Sequence, residues 1–218
     1  MLNINDFILY MPMKGNLTDY SRNGYTATNN GATLTTGVEG IANTAYLFNG
    51  SSEYITLTSA VNQALSSAIN ANCTIIINFI TDAGTTVQGV MSTYNNNAQN
   101  SFNMQIQNAV NQEFSVPKLD GATAYPFAAG TIDGATWYKT AVVYNVNDVE
   151  LFLNDALAGS TTFSGTAKED STNVLWIGRR GDGLYFDGKI SNIMFITKTT
   201  TKLERKYINK FGNRKRVA

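Results

Sequence analysis

Apolar residues recur in short runs along the whole chain, each bounded by Gly, Asn, Asp or Ser. Some runs alternate with polar positions, as in Tyr54-Ile55-Thr56-Leu57. Others are unbroken, as from Cys73 to Ile80. Alternation marks a strand with one buried face, and an unbroken run of strand length fits a strand buried on both. The pattern predicts strands near residues 7–11, 27–34, 45–48, 54–57, 73–81 and 87–94. More are predicted near 102–107, 113–119, 137–144, 150–153, 173–178 and 188–195. Only two stretches read as helical. Residues 59–69 suit a short turn of helix. Residues 200–211 follow a Thr-rich cap and carry Leu203, Tyr207, Ile208 and Phe211 at helical spacing. So many short strands without long helices between them predict an all-β sandwich of two antiparallel sheets, closed by a short C-terminal helix.

The connections carry turn chemistry. Asn49-Gly50 is a strong turn dipeptide between two strands, and Asp120-Gly121, Asp133-Gly134, Asp182-Gly183 and Asp187-Gly188 read the same way. The Asn-rich stretch 94–100 reads as a surface loop.

Taken in order, these segments resemble the laminin-G-like, pentraxin-related branch of the concanavalin A-like lectin/glucanase jelly rolls. An early strand is followed by Asp19-Tyr-Ser-Arg-Asn-Gly24, then by a strand-turn-strand unit around Phe48-Asn49-Gly50. Trp137 opens a later strand, Leu151-Phe-Leu-Asn154 ends in a turn, Leu175-Trp-Ile-Gly178 ends in glycine, and Phe186 to Phe195 closes the sandwich. The resemblance covers residues 7–211 and implies one jelly-roll domain, 1–211, with a basic tail, 212–218. The chain departs from the family pattern at Asp155, where glycine is usual. The fold itself hosts lectins, enzymes and structural modules, so it does not fix a ligand.

Composition narrows the setting. With 43% hydrophobic and 15% charged residues, the chain is too apolar for disorder. At this length it buries roughly 70% of its unfolded surface. The one cysteine, Cys73, cannot form an internal disulfide and lies in an apolar run, so it reads as a core residue that folds in a reducing compartment. No apolar stretch reaches the ~20 residues that span a bilayer. The first residues lack the basic and small-residue pattern of an export signal and read as a strand. Net charge is zero but uneven: residues 1–201 hold 9 cations and 15 anions, while seven cations crowd into 202–218.

Catalytic patterns are absent. The glucanases of this superfamily place carboxylates as Glu-x-Asp-x-x-Glu on one strand face. The nearest match here, Asp148 with Glu150, has no third member. With no histidine, neither a Ser-His nor a Cys-His pair can form. The expectation is a non-enzymatic protein, with a glycoside hydrolase the weakest reading. The resemblance implies a calcium site built from Asp19 and Asn23 in the early loop with Asp182 and Asp187 in a late one, although Asp and Asn also simply cap turns. Loop aromatics and amides suggest Tyr20, Tyr94, Asn96 and Tyr185 as glycan contacts. Arg180-Gly181-Asp182 spells an integrin-binding tripeptide of low information. Arg214, Lys215 and Arg216 are the expected docking residues for a partner protein, nucleic acid being the lesser alternative. A fold that works outside cells, on a chain with no visible export signal, is expected on a bacteriophage virion as a capsid decoration, head-fibre or tail component, with other virion proteins or further copies of itself as partners. A lectin or adhesin module of a secreted protein is the alternative.

Overall fold

The computed structural model describes residues 2–82, 87–93, 102–106, 113–116, 125–128, 132–146, 148–162 and 172–211. In chain order the strands are β1 (Phe7–Met11), β2 (Ala27–Asn30), β3 (Thr33–Thr35), β4 (Ala45–Asn49), β5 (Tyr54–Leu57), β6 (Asn72–Thr81) and β7 (Gln88–Ser92). They continue with β8 (Asn103–Ile106), β9 (Glu113–Val116), β10 (Tyr125–Ala128), β11 (Tyr138–Asn145), β12 (Asp148–Leu153) and β13 (Ala156–Thr162). The last are β14 (Leu175–Ile177), β15 (Arg179–Arg180), β16 (Leu184–Tyr185) and β17 (Asp187–Ile196). Helix α1 (Ser59–Ile69) follows β5, and α2 (Lys202–Phe211) ends the fold.

Two antiparallel sheets make the sandwich. The larger runs β13-β12-β11-β6-β17-β4-β3, and β1 also pairs with β17. The smaller runs β2-β5-β14-β7-β8. Phe48, Phe79 and Phe186 meet edge-on between the sheets, with ring centroids 6.1 Å apart in both the Phe48–Phe186 and Phe79–Phe186 pairs. One edge of β17 serves two partners: β4 takes residues 187–190 and β1 takes 193–196. The handover falls on Asn192, whose φ of 57° makes a bulge between Ser191 and Ile193.

Several expectations are refined. The predicted strand 27–34 is two strands, broken at Gly31, where φ is 96°. The expected short turn at 59–69 is an 11-residue helix that buries Val61, Leu65 and Ile69 on one stripe. Asp187-Gly188 is not a turn: both residues lie within β17. Glycine is required at 188 because a Cβ there would stand 2.2 Å from the Ile80 carbonyl oxygen. Strands β10, β13, β15 and β16 lie outside the predicted ranges. Ala156–Thr162 is a largely exposed edge strand with no buried position, so it shows no apolar alternation.

Helix α2 packs on the outer face of the larger sheet. Thr201 and Glu204 form its capping box: the Thr201 N–H donates to Glu204 Oε2 at 3.0 Å, and the Glu204 N–H donates to Thr201 Oγ1 at 3.2 Å. Ile208 sits over Ile76, Ala141, Met194 and Ile196. The expected stripe is only partly correct, since Leu203 is 78% exposed and Tyr207 63%. Arg205 takes the inward place instead, its guanidinium 3.7 Å from the Phe152 ring centroid. Among the described residues no helix is long and apolar enough to cross a membrane.

Candidate functional site

Alternation along β5 and β14 builds a face on the smaller sheet. Ile55, Leu57, Leu175 and Ile177 point into the core. Tyr54, Thr56 and Trp176 therefore point outward. Register sets Trp176 between Thr56 and Ser92, and Ser92 beside Asn103. Gln105, two residues further along β8, shares that face and accepts a hydrogen bond from Asn103 Nδ2 at 2.7 Å.

A second layer crosses this face. After β14 the chain turns at Gly178, with φ at 77°, and β15 runs over β7. The crossing depends on Gly89. A Cβ at that position would lie 2.3 Å from the Arg180 backbone nitrogen. Arg179 and Arg180 are thereby held above the sheet, and the tight turn at Gly183, φ 88°, brings Tyr185 back beside them.

The two arginines have different surroundings. Arg180 Nε and Nη2 donate to the two oxygens of Asp182 at 2.8 and 2.5 Å, and Nη1 donates to Gln105 Oε1 at 2.5 Å. This fork holds the Asp182 carboxyl below its ordinary range, the Arg180 hydrogen bond being the main cause. Arg179 has no acidic partner among the described residues. Its guanidinium lies 4.9 Å from the Tyr54 ring centroid, 5.2 Å from that of Tyr185 and 6.0 Å from that of Trp176. Its Nε is buried and has no hydrogen-bond partner.

The residues expected from sequence fall in separate places. Asp19 is buried at the far end of the larger sheet. Its oxygens accept from the backbone N–H groups of Tyr10, Ser21 and Tyr25, each at 2.9 Å, and from Ser21 Oγ at 2.8 Å. Asn23 Nδ2 donates to the Ile8 carbonyl at 2.8 Å. Both residues therefore brace the early loop. Tyr10 pairs with Met194, seven residues along β17 from Asp187, which separates Asp19 from Asp187 by about 20 Å at the usual strand rise. The four expected calcium ligands therefore do not converge: Asp182 is engaged with Arg180, and Asp187 lies near Asp82. Burial, then the Asp82 charge, raises the Asp187 carboxyl. Among the described residues no group of three Asp, Glu or Cys side chains is placed to hold a metal ion.

Of the expected glycan contacts, Tyr185 belongs to the face just described. Tyr20 lies on the other side of the sandwich, 6.2 Å from Tyr10, which packs on the outer cluster of the larger sheet. Tyr94, Asn96, Arg214, Lys215 and Arg216 lie outside the described residues. Asp148 and Glu150, the nearest approach to a carboxylate pair, sit on β12, and the Glu150 charge acts on Arg205 of α2. Sequence reading missed Tyr54, Trp176 and Arg179 as a group, although alternation alone turns the first two outward.

The profile of the laminin-G-like family, described as the Concanavalin A-like lectin/glucanases superfamily, matches residues 48–204. The chain belongs to this family. The match spans β5, β14 and the β15–β16 layer, and so includes every residue of the face. A search among curated proteins returns no significant sequence match. Solved structures share the fold. Domain 4 of AbnA, an extracellular arabinanase of Geobacillus stearothermophilus, was solved in complex with arabinotriose. It is 15% identical with a TM-score of 0.73, covering 93% of this chain and 98% of that domain. The receptor-binding domain of a botulinum neurotoxin C/D mosaic is 13% identical with a TM-score of 0.73, covering 95% of this chain. A botulinum neurotoxin type C structure, described as depending on two ganglioside molecules for cell entry, is 14% identical with a TM-score of 0.68. This laminin-G-like chain spans about half the length of the toxin structures, 52% in each case.

Proposed function

We propose that this domain binds carbohydrate, without catalysis, on the outer face of its five-stranded sheet. One observation carries the reading: Tyr54, Trp176 and Tyr185 gather around Arg179 on that face. Aromatic faces suit the apolar faces of sugar rings, and a guanidinium among them can donate to ring hydroxyls. Similarity to an arabinanase domain solved with arabinotriose and to toxin receptor-binding domains supports it. Asp182, the carboxylate within this group, is engaged with Arg180, which favours binding over hydrolysis.

The test is a glycan array on the full chain, followed by calorimetry on each hit with wild type and Trp176→Ala. Binding that falls at least tenfold in the variant, with unfolding temperature retained, is the expected result. A wild-type protein that binds no glycan, or a variant that binds as well, overturns the reading.

The setting we propose is the surface of a bacteriophage particle. The chain holds one cysteine, Cys73, buried in the core with its thiol pushed far up by burial, so the fold needs no oxidising compartment. Residues 213–218 supply a basic segment that suits docking on an acidic shell protein. Deleting 213–218 and measuring incorporation into particles is the check, and unchanged incorporation would count decisively against docking through the tail.

A further inference from the structure

We infer that Arg179 is an anion-recognition point and that the saccharide this face takes carries a carboxylate. The inference rests on the carbohydrate reading and deepens it. Two consecutive arginines stand above one sheet face, and they differ in one respect. Arg180 is matched by Asp182 through two hydrogen bonds. Arg179 has neither a hydrogen bond nor an acid among the described residues, and its buried Nε is unpartnered.

Arg179 as a whole is only half-buried, so a ligand can approach its guanidinium from solvent and supply the acceptor that the unliganded protein lacks. The geometry selects the acceptor. Tyr54, Trp176 and Tyr185 engage Arg179 as a cation over rings, and that use of the group leaves its N–H bonds, which radiate in the guanidinium plane, for other partners. A planar carboxylate matches two parallel N–H bonds of such a fork, whereas a hydroxyl meets only one. The same rings give a sugar a surface to lie on next to its acid group. A uronic acid and a sialic acid share this chemistry. The body of the chain is acidic overall, with 9 cations against 15 anions in residues 1–201, so an unpaired cation on this face is not part of a generally basic surface.

The test uses the full-length protein and matched pairs of sugars: sialyllactose against lactose, and trigalacturonate against its methyl ester. Affinities are measured by calorimetry or ligand-observed NMR for wild type, Arg179→Gln and Arg179→Lys. For at least one pair the acid should bind wild type roughly tenfold to a hundredfold tighter than its neutral partner, the range for a charge-assisted hydrogen bond. The pair that shows this tells sialic from uronic acid. Arg179→Gln should erase the difference, and Arg179→Lys should retain only part of it, since lysine lacks the fork. Equal binding of acid and neutral partners by wild type overturns the inference while leaving carbohydrate binding intact. So does a preference that survives in Arg179→Gln. The wild-type comparison needs no variant, so a misfolded mutant cannot decide the matter. Binding of neither partner of either pair, together with an empty glycan array, overturns the carbohydrate reading itself.

Discussion

Gly178 lies directly against the ring of Phe48, so closely that a Cβ on Gly178 would stand 2.3 Å from Phe48 Cδ1. The contact joins the end of β14 in the smaller sheet to the end of β4 in the larger, across 130 residues of sequence. It fixes where β14 stops and hence where Arg179 begins. Gly178 also has φ at 77°, a region that strains residues with a side chain.

Gly178→Ala should therefore be destabilising on two counts. Overpacking of this kind costs about 1–3 kcal/mol, and left-handed backbone adds about 1–2 kcal/mol. Chemical denaturation should show a lower midpoint with unchanged slope. In a Phe48→Ala background the same substitution should cost measurably less, because the ring atoms it strikes are gone. Strict additivity of the two changes would show that the clash is not the cause.

The hairpin at Asn154-Asp155 offers a gain. Leu153 pairs with Ala156 across a two-residue turn in which Asn154 has φ 50° and Asp155 φ 67°. Such turns want glycine at the second position. Asn154 is well used, since its Oδ1 accepts the Lys139 N–H at 2.9 Å, whereas Asp155 carries the strain and is used only through the action of its charge on Arg205. Asp155→Gly should stabilise by about 0.5–1 kcal/mol, raising the unfolding temperature by about 1–4 °C in a chain of this size. A fall in unfolding temperature would refute it.

The sheet framework was legible in the sequence because burial writes itself as alternation, and Tyr54-Ile55-Thr56-Leu57 is read correctly residue by residue. The same rule turns Trp176 outward between Leu175 and Ile177, yet the sequence reading uses it only as part of a motif. What could not be read was anything made by distant backbone contact. Gly188 looks like a turn glycine beside Asp187, and only the Ile80 carbonyl shows why it is needed. The calcium set failed for a similar reason. Asp19 and Asp187 are both loop-like in sequence, and only the register of β1 on β17, with the bond from the Tyr10 N–H to Asp19, shows them near opposite ends of β17. On α2, Leu203 and Tyr207 have helical spacing but face away, because Arg205 with its long stem fills the inward position over Phe152.

Acid should act on the binding layer through two carboxylates of opposite sign. Asp182 is held below its ordinary value by Arg180, so its contribution is present above the unfolded carboxylate value and is lost as pH falls through the folded one. Asp187 is raised by burial and by Asp82, so it penalises the folded state at neutral pH, and that penalty fades as pH falls. Asp187→Asn should therefore raise the unfolding temperature at pH 7 and lose its advantage on acidification. Asp182→Asn should do the reverse, lowering stability at pH 7 and converging with wild type in acid. Without histidine, stability and binding should be nearly flat between about pH 5.5 and 8. A transition near pH 6.5 would contradict this account.

Gly89 is the residue that should separate the binding layer from the fold. It lies in β7 opposite Gln105, on the outward face. A side chain there meets backbone, the Arg180 nitrogen at 2.3 Å and the Arg179 carbonyl carbon at 2.7 Å, and backbone cannot rotate away as a side-chain tip can. The core side of β7 is untouched, since Met91 and Val90 keep their neighbours. Gly89→Ala should therefore lift β15 off the sheet, pull Arg179 from Tyr54 and Trp176, and part Arg180 from Gln105. Saccharide affinity should drop at least tenfold, because displacement of about 1 Å is enough to lose oriented hydrogen bonds and ring contacts. The fold should lose only about 1–3 kcal/mol, the usual range for a forced local shift. Calorimetry and denaturation on the same sample decide it. Intact binding in a stably folded Gly89→Ala protein would mean that β15 does not carry the site.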